Sequence, residues 1–163
     1  MSKDVKDTQP AVEESVAAQK AAAFQAYLEA EQISGVDMHT AGDESHAHVF
    51  RSNLPVQRQS LPFMVLIDDS VYTVIQLEIA AQIVTADKKE KAAVYLNELN
   101  DEYRMLKYSS DGAGNVLLTC SIPSGVEQFD PALIAALLNQ IQEHLNEVYP
   151  DLMAKLWSKE NVA

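Results

Sequence analysis

The sequence predicts an α+β fold, an antiparallel sheet with segregated helices in the order α-β-β-β-β-α-β-β-α. Three observations predict it. Residues 129–157, FDPALIAALLNQIQEHLNEVYPDLMAKLW, place apolar side chains at the helical period. Residues 61–84 hold two β-rich runs, and residues 105–123 read as two strands around a glycine-containing turn. A chain of 163 residues, 47% of them hydrophobic, is long enough to bury roughly 70% of its unfolded surface in one domain without disulfide or metal.

Residues 1–14 are charged, have valine as their only large apolar side chain apart from Met1, and are expected to form a mobile tail. That leaves 15–158 as a single domain. From Ser15 an alanine-rich segment sets Ala17, Ala21, Phe24, Leu28 and Tyr27 on one side, predicting a helix that closes near residues 34–35. Its small-sided stripe suits close packing on a sheet. Val36 and Met38 then alternate with polar residues, AGDES supplies a turn, and HAHVFRS forms a returning strand.

The next two strands split at Asp68, Asp69 and Ser70. Phe63, Val65 and Ile67 share one face of the first, and Met64 and Leu66 the other. In the second, Val71, Thr73, Ile75, Leu77 and Ile79 oppose Tyr72, Val74, Gln76 and Glu78. Apolar residues on both faces predict central strands covered twice, by helices or by a second subunit. A helix follows over TADKKEKAAVYLNELNDEYRML, with Asp87 and Glu90 spaced as an acidic capping box and Ala92, Tyr95, Leu96, Leu99 and Tyr103 as its buried stripe. A hairpin turning at Asp111 to Asn115 carries Val116, Leu118, Cys120 and Ile122 on one face, and Pro123 ends it.

The last helix is the best specified. Asp130 is its N-cap, Pro131 fills the first helical position, and Phe129 staples onto Ile134. Ile134, Leu137, Leu138, Ile141, Leu145 and Val148 face the core. Pro150 is expected to stop the helix, while Leu152, Met153, Leu156 and Trp157 continue the apolar pattern and dock the C-terminus.

With 12 Lys and Arg against 24 Asp and Glu, the chain carries a formal charge of -12, which repels nucleic-acid phosphates and anionic lipid. The start MSKDVKD has no apolar segment behind it, and no run reaches transmembrane length. Cys120 is the single cysteine and cannot form an internal disulfide. These features predict a cytoplasmic protein that binds neither nucleic acid nor membrane.

Catalytic chemistry finds no support in the candidates, and no cofactor is implied. Cys120 sits among apolar strand residues and reads as a buried structural thiol. Asp68 and Asp69 are adjacent, so only a turn would let them share a site. GAGN at 112–115 lacks the spacing of a phosphate cradle. Tyr95, Tyr103 and Tyr108 read as packing residues, since no basic residues are interleaved to hold a nucleic acid, and His144 as a surface histidine. His46 and His48, two apart in a strand, would point to one face with His39, Asp37, Asp43 and Glu44 nearby, a pattern that a divalent metal could use.

At LPFMVLIDD, at KKEKAAVYLNELNDEYRMLKY with DGAGNVLLTCSIP, and across 129–157, the chain resembles the YbjN-like family of small bacterial proteins, over roughly residues 23–157. The resemblance implies a type III secretion chaperone-like fold, a regulatory or chaperone-like role without catalytic residues, and a homodimer. The stretch from Met38 to His48 is not a feature of that family. The resulting expectation is a cytosolic, non-enzymatic domain that holds a protein partner on its sheet or dimer surface, with Met64, Leu66, Tyr72 and Val74 lining the uncovered face. The alternatives are a metal-binding protein using His46 and His48, or a small-ligand sensor with a pocket between sheet and last helix.

Overall fold

Six antiparallel strands form one open sheet in the order β1-β2-β3-β4-β6-β5. A computed structural model describes residues 14–158, so the expected tail over 1–14 lies almost wholly outside the described residues. The elements run α1 (Val16–Ala30), β1 (Asp37–Thr40), β2 (His48–Val56), β3 (Gln59–Ile67), β4 (Tyr72–Ala80), a 3-10 turn (Ala86–Lys88), α2 (Lys89–Glu102), β5 (Lys107–Ser110), β6 (Val116–Pro123) and α3 (Pro131–Trp157). This is the α+β order expected from the periodicities.

Strand register sorts the side chains. Phe50 faces Val65, Val65 faces Ile75, and Ile75 faces Cys120, so a continuous apolar row crosses β2, β3, β4 and β6. Leu77, Leu118 and Tyr108 form a parallel row toward β5. All three helices bury their stripes in this same cluster: Ala21 and Phe24 of α1, Ala92, Leu96 and Leu99 of α2, and Ile134, Leu137, Ile141 and Leu145 of α3. Each such buried Leu or Ile contributes about 2 kcal/mol of transfer free energy. Of the two expected ways of covering both faces, the structure therefore corrects the helical one. Among the described residues no helix lies over the opposite face, because every helical stripe is already used on the first.

Local sequence explains most element ends. The Ser15 hydroxyl accepts from the Ala18 N–H and caps α1, and the Asp130 carboxylate accepts from Ala132 and caps α3. The first helix ends earlier than expected. Ile33 N–H bonds the Leu28 carbonyl and Gln32 N–H bonds Glu29, with Gln32 at φ 56°, a Schellman ending in which glutamine takes the position that glycine usually holds. Gly35 was the misleading signal. The acidic capping box of α2 does not form: Asp87 lies inside the 3-10 turn, where its carboxylate accepts from the Thr85 hydroxyl at 2.5 Å.

Pro150 does not end α3, which runs unbroken to Trp157. Proline removes the N–H that would bond the carbonyl four residues back, that of Asn146. The Gln57 side-chain amide bonds that carbonyl instead, and the Gln57 main-chain N–H donates to Asn146 Oδ1 at 2.8 Å. Beyond the proline, Leu152 and Leu156 stay buried, whereas Trp157 is 67% exposed and does not dock as expected.

Candidate functional site

The sheet face opposite the helices gathers the residues expected to line an uncovered surface. On β2, β3 and β4, Val49, Leu66 and Val74 are direct cross-strand neighbours, so one apolar row crosses three strands. Met64 stands beside it on β3, opposite Gln76, and Tyr72 lies at the β4 end opposite Pro123. Met64, Leu66 and Val74 are half-buried against one another, and Tyr72 is 50% exposed. Period-two geometry makes this arrangement unavoidable once Val65, Ile67, Thr73 and Ile75 point to the core.

Next to the row, the face dips into an open concavity of about 380 Å³. Met64, Pro62 and Leu117 give it an apolar floor, with Asp37, Arg51 and Glu78 among its polar lining. Asp37 pairs with Arg51 across β1 and β2, and Arg51 with Met64 across β2 and β3. Sequence reading missed this ring of charge, because only the register shows that Asp37, Arg51 and Glu78 share the face.

The expected placement of the histidines on one strand face is corrected. His46 is not in the strand: it sits in the turn before β2 at φ 51°, with Nδ1 2.6 Å from Asp69 Oδ2. His48 begins β2 and its Nδ1–H donates to the His46 carbonyl at 2.9 Å. His48 pairs with Thr40 and His39 with Val49, so the two point to opposite faces of the sheet. Among the described residues no group of three or more His, Cys, Asp or Glu could hold a metal ion. The left-handed turn at His46 is what separates the imidazoles.

Asp68 and Asp69 lie in a turn, as expected, and serve different partners. Asp68 Oδ1 accepts from Ser70 N–H, while Asp69 Oδ1 accepts from the Ala17 N–H in the first turn of α1. The His46 hydrogen bond, and then that N–H, hold the Asp69 carboxyl below its ordinary range. Lys20, 1% exposed within the alanine stripe of α1, donates to the Ser70 carbonyl at 2.8 Å. Together these bonds tie the β3–β4 turn to α1, a structural role.

The expectation of a surface histidine at 144 is also corrected. Its Nε2 lies 2.6 Å from the Tyr108 hydroxyl, and the Tyr103 ring stands edge-on at 4.3 Å. Burial pushes the Tyr108 phenol up and the His144 imidazole down, so the phenol donates to a neutral imidazole. Tyr95 lies under the Lys155 ammonium, 4.5 Å from the ring centroid. The Cys120 thiol is buried and pushed up by desolvation, in keeping with a structural thiol.

The chain matches no protein-family model and no curated protein significantly. Among the described residues no helix is long and apolar enough to cross a membrane.

Proposed function

We propose that this chain is a non-enzymatic, chaperone-like or regulatory protein-binding domain that holds an apolar segment of a protein partner on the open face of its sheet. The supporting observation is the apolar row Val49, Leu66 and Val74 crossing three strands, flanked by Met64 and Tyr72, on the face that no described helix occupies. A contiguous apolar surface of this kind in water favours a partner. The charged ring beside it and the net charge of -12 select a segment that carries basic residues next to its apolar anchors. The YbjN-like resemblance implies such a role on a type III secretion chaperone-like fold, and on that reading the domain works in the bacterial cytoplasm.

The test places a photo-crosslinking residue at position 66 or 74, and at Val94, which is 61% exposed on α2, as a control. Crosslinking is run in host lysate beside a Leu66→Lys/Val74→Lys variant whose fold is followed by circular dichroism. The expected result is one protein captured from the sheet positions and not from 94, with its binding lost in the still-folded variant. Capture only of a second copy of this chain would replace the partner reading with a homodimer. Equal capture from all three positions, or unfolding of the variant, would remove the basis for both.

A further inference from the structure

An open cavity of about 310 Å³ lies between the segment joining α2 to β5 and the middle of α3, on the helix side of the sheet and away from the apolar row. Ile141, Leu106 and Met105 give it an apolar lining, and His144 and Tyr103 stand together in its wall. We propose that this cavity binds a small, uncharged aromatic ligand that carries a carbonyl group, an aromatic amide or ketone, with the carbonyl oxygen accepting from His144 Nδ1–H.

His144 supplies the polar anchor. The Tyr108 hydroxyl donates to Nε2 at 2.6 Å, so the neutral imidazole carries its proton on Nδ1. Tyr108 is 2% exposed and burial keeps its phenol protonated, which sets the direction of that bond. Nδ1–H has no hydrogen-bond partner among the described residues, although His144 is half-buried. A partly desolvated donor of this kind gains from an acceptor that a ligand brings. An imidazole held below its ordinary value by burial, in a mostly apolar cavity with few polar groups, has the character of a ligand site.

Charge decides for a neutral ligand. Glu102 and Arg104 both line the cavity at its exposed rim, and Glu102 and Glu147 both act on the imidazole. One guanidinium beside one carboxylate, in a chain of net charge -12, makes no site for an anion. A cation would meet Arg104 and the imidazole donor. Ring geometry decides for an aromatic body. The Tyr103 ring stands at 70° to His144, and Tyr108 tilts against the same imidazole at 6.0 Å, so a flat ring extends a cluster already packed edge to face. Met105, 51% exposed in the lining, is an unbranched side chain able to fold over such a ring.

The test titrates benzamide and acetophenone into the full-length protein, following the backbone amides of Leu106, Ile141 and His144 and the His144 ring nitrogens by heteronuclear NMR. Benzoate and benzamidinium are the charged controls. Saturable shifts with a dissociation constant tighter than about 1 mM are expected for the neutral pair, with Nδ1 among the most shifted atoms and both charged controls about tenfold weaker. Met105→Trp, which fills the cavity, and His144→Phe, which keeps a ring and removes the donor, are each expected to weaken binding about tenfold. Three results would overturn the proposal: no saturation by either neutral compound, charged controls that bind as tightly, or unchanged affinity in a folded variant. Met105 is exposed, so Met105→Trp decides the case even where His144→Phe fails to fold.

Discussion

The Gln57 side-chain amide donates to the main-chain carbonyl of Asn146, the acceptor that Pro150 leaves without a helical donor. The two residues are 89 apart in sequence. Gln57 is the first of two residues joining β2 to β3 and has φ 53°, a positive value in the position where a II′ turn favours glycine. A strained hairpin residue and a broken helical ladder thus complete each other, and Gln142 adds a bond to the Pro55 carbonyl alongside.

Pro150→Ala is expected to stabilise the protein by about 1–2 kcal/mol, less than the roughly 3 kcal/mol that an uncompensated interior proline costs, because Gln57 already satisfies the freed carbonyl. Gln57→Ala is expected to cost about 1 kcal/mol in the natural chain and clearly less beside Pro150→Ala. Urea unfolding of the four members of this double-mutant cycle measures the coupling. Strictly additive effects would show that the bond does not compensate the proline.

Gly114→Ala is expected to cost about 2 kcal/mol or more. Gly114 has φ 83°, and a Cβ there would stand 2.4 Å from the Val84 carbonyl oxygen. Both the left-handed backbone and the close approach exclude a side chain. The Val84 N–H bond to the Gly114 carbonyl, 3.0 Å long, and the Gln82 N–H bond to Asn115 Oδ1 join the β5–β6 turn to the segment after β4. Thermal unfolding measures the loss. An unchanged midpoint would mean that this turn moves freely away from Val84.

Much of the architecture was legible because burial leaves a period in the sequence. The stripes of α1, α2 and α3 and the two faces of β3 and β4 followed from spacing alone, and Met64, Leu66, Tyr72 and Val74 fell on one face for that reason. What failed depended on partners distant in the chain. Pro150 reads as a stop unless Gln57 is known to reach Asn146. His144 sits on the polar side of a helical wheel, yet Tyr103 and Tyr108, which follow a different helix, close around it. The charge ring of Asp37, Arg51 and Glu78 needed the register. His46 and His48 were paired by a strand rule that a left-handed turn does not obey.

His144 is expected to make stability depend on pH near neutrality. Its unfolded value is about 6.5 and burial lowers it in the fold, with Glu147 and Glu102 opposing in part. Between the two values the unfolded chain binds more protons, so stability rises with pH there. The contribution is present above about pH 6.5 and is lost as pH falls through the native value. Asp43, Asp69 and Asp111, whose carboxyls are held below 3.8, lose theirs only in a separate, more acidic window. Urea midpoints of the natural chain should fall from pH 8 to pH 5, and His144→Gln should flatten that slope. The same slope in both proteins would rule His144 out as its source.

Asn100→Ala is expected to loosen the β5 edge of the sheet. The Asn100 amide reads the Tyr108 main chain on both sides: Oδ1 accepts its N–H at 2.6 Å, and Nδ2 donates to its carbonyl at 2.9 Å. An α2 side chain thereby takes the place of a missing neighbouring strand at the one buried residue of β5. Removing it leaves both Tyr108 groups unpaired in a partly buried setting, at a cost of about 2 kcal/mol. Loss of that contact should also free Tyr108 to move relative to His144. Native-state hydrogen exchange should show the Tyr108 amide losing protection by a larger factor than amides of β3 and β4. Equal loss throughout would mean that Asn100 supports global stability alone, while no loss at Tyr108 would mean that water replaces the amide without cost.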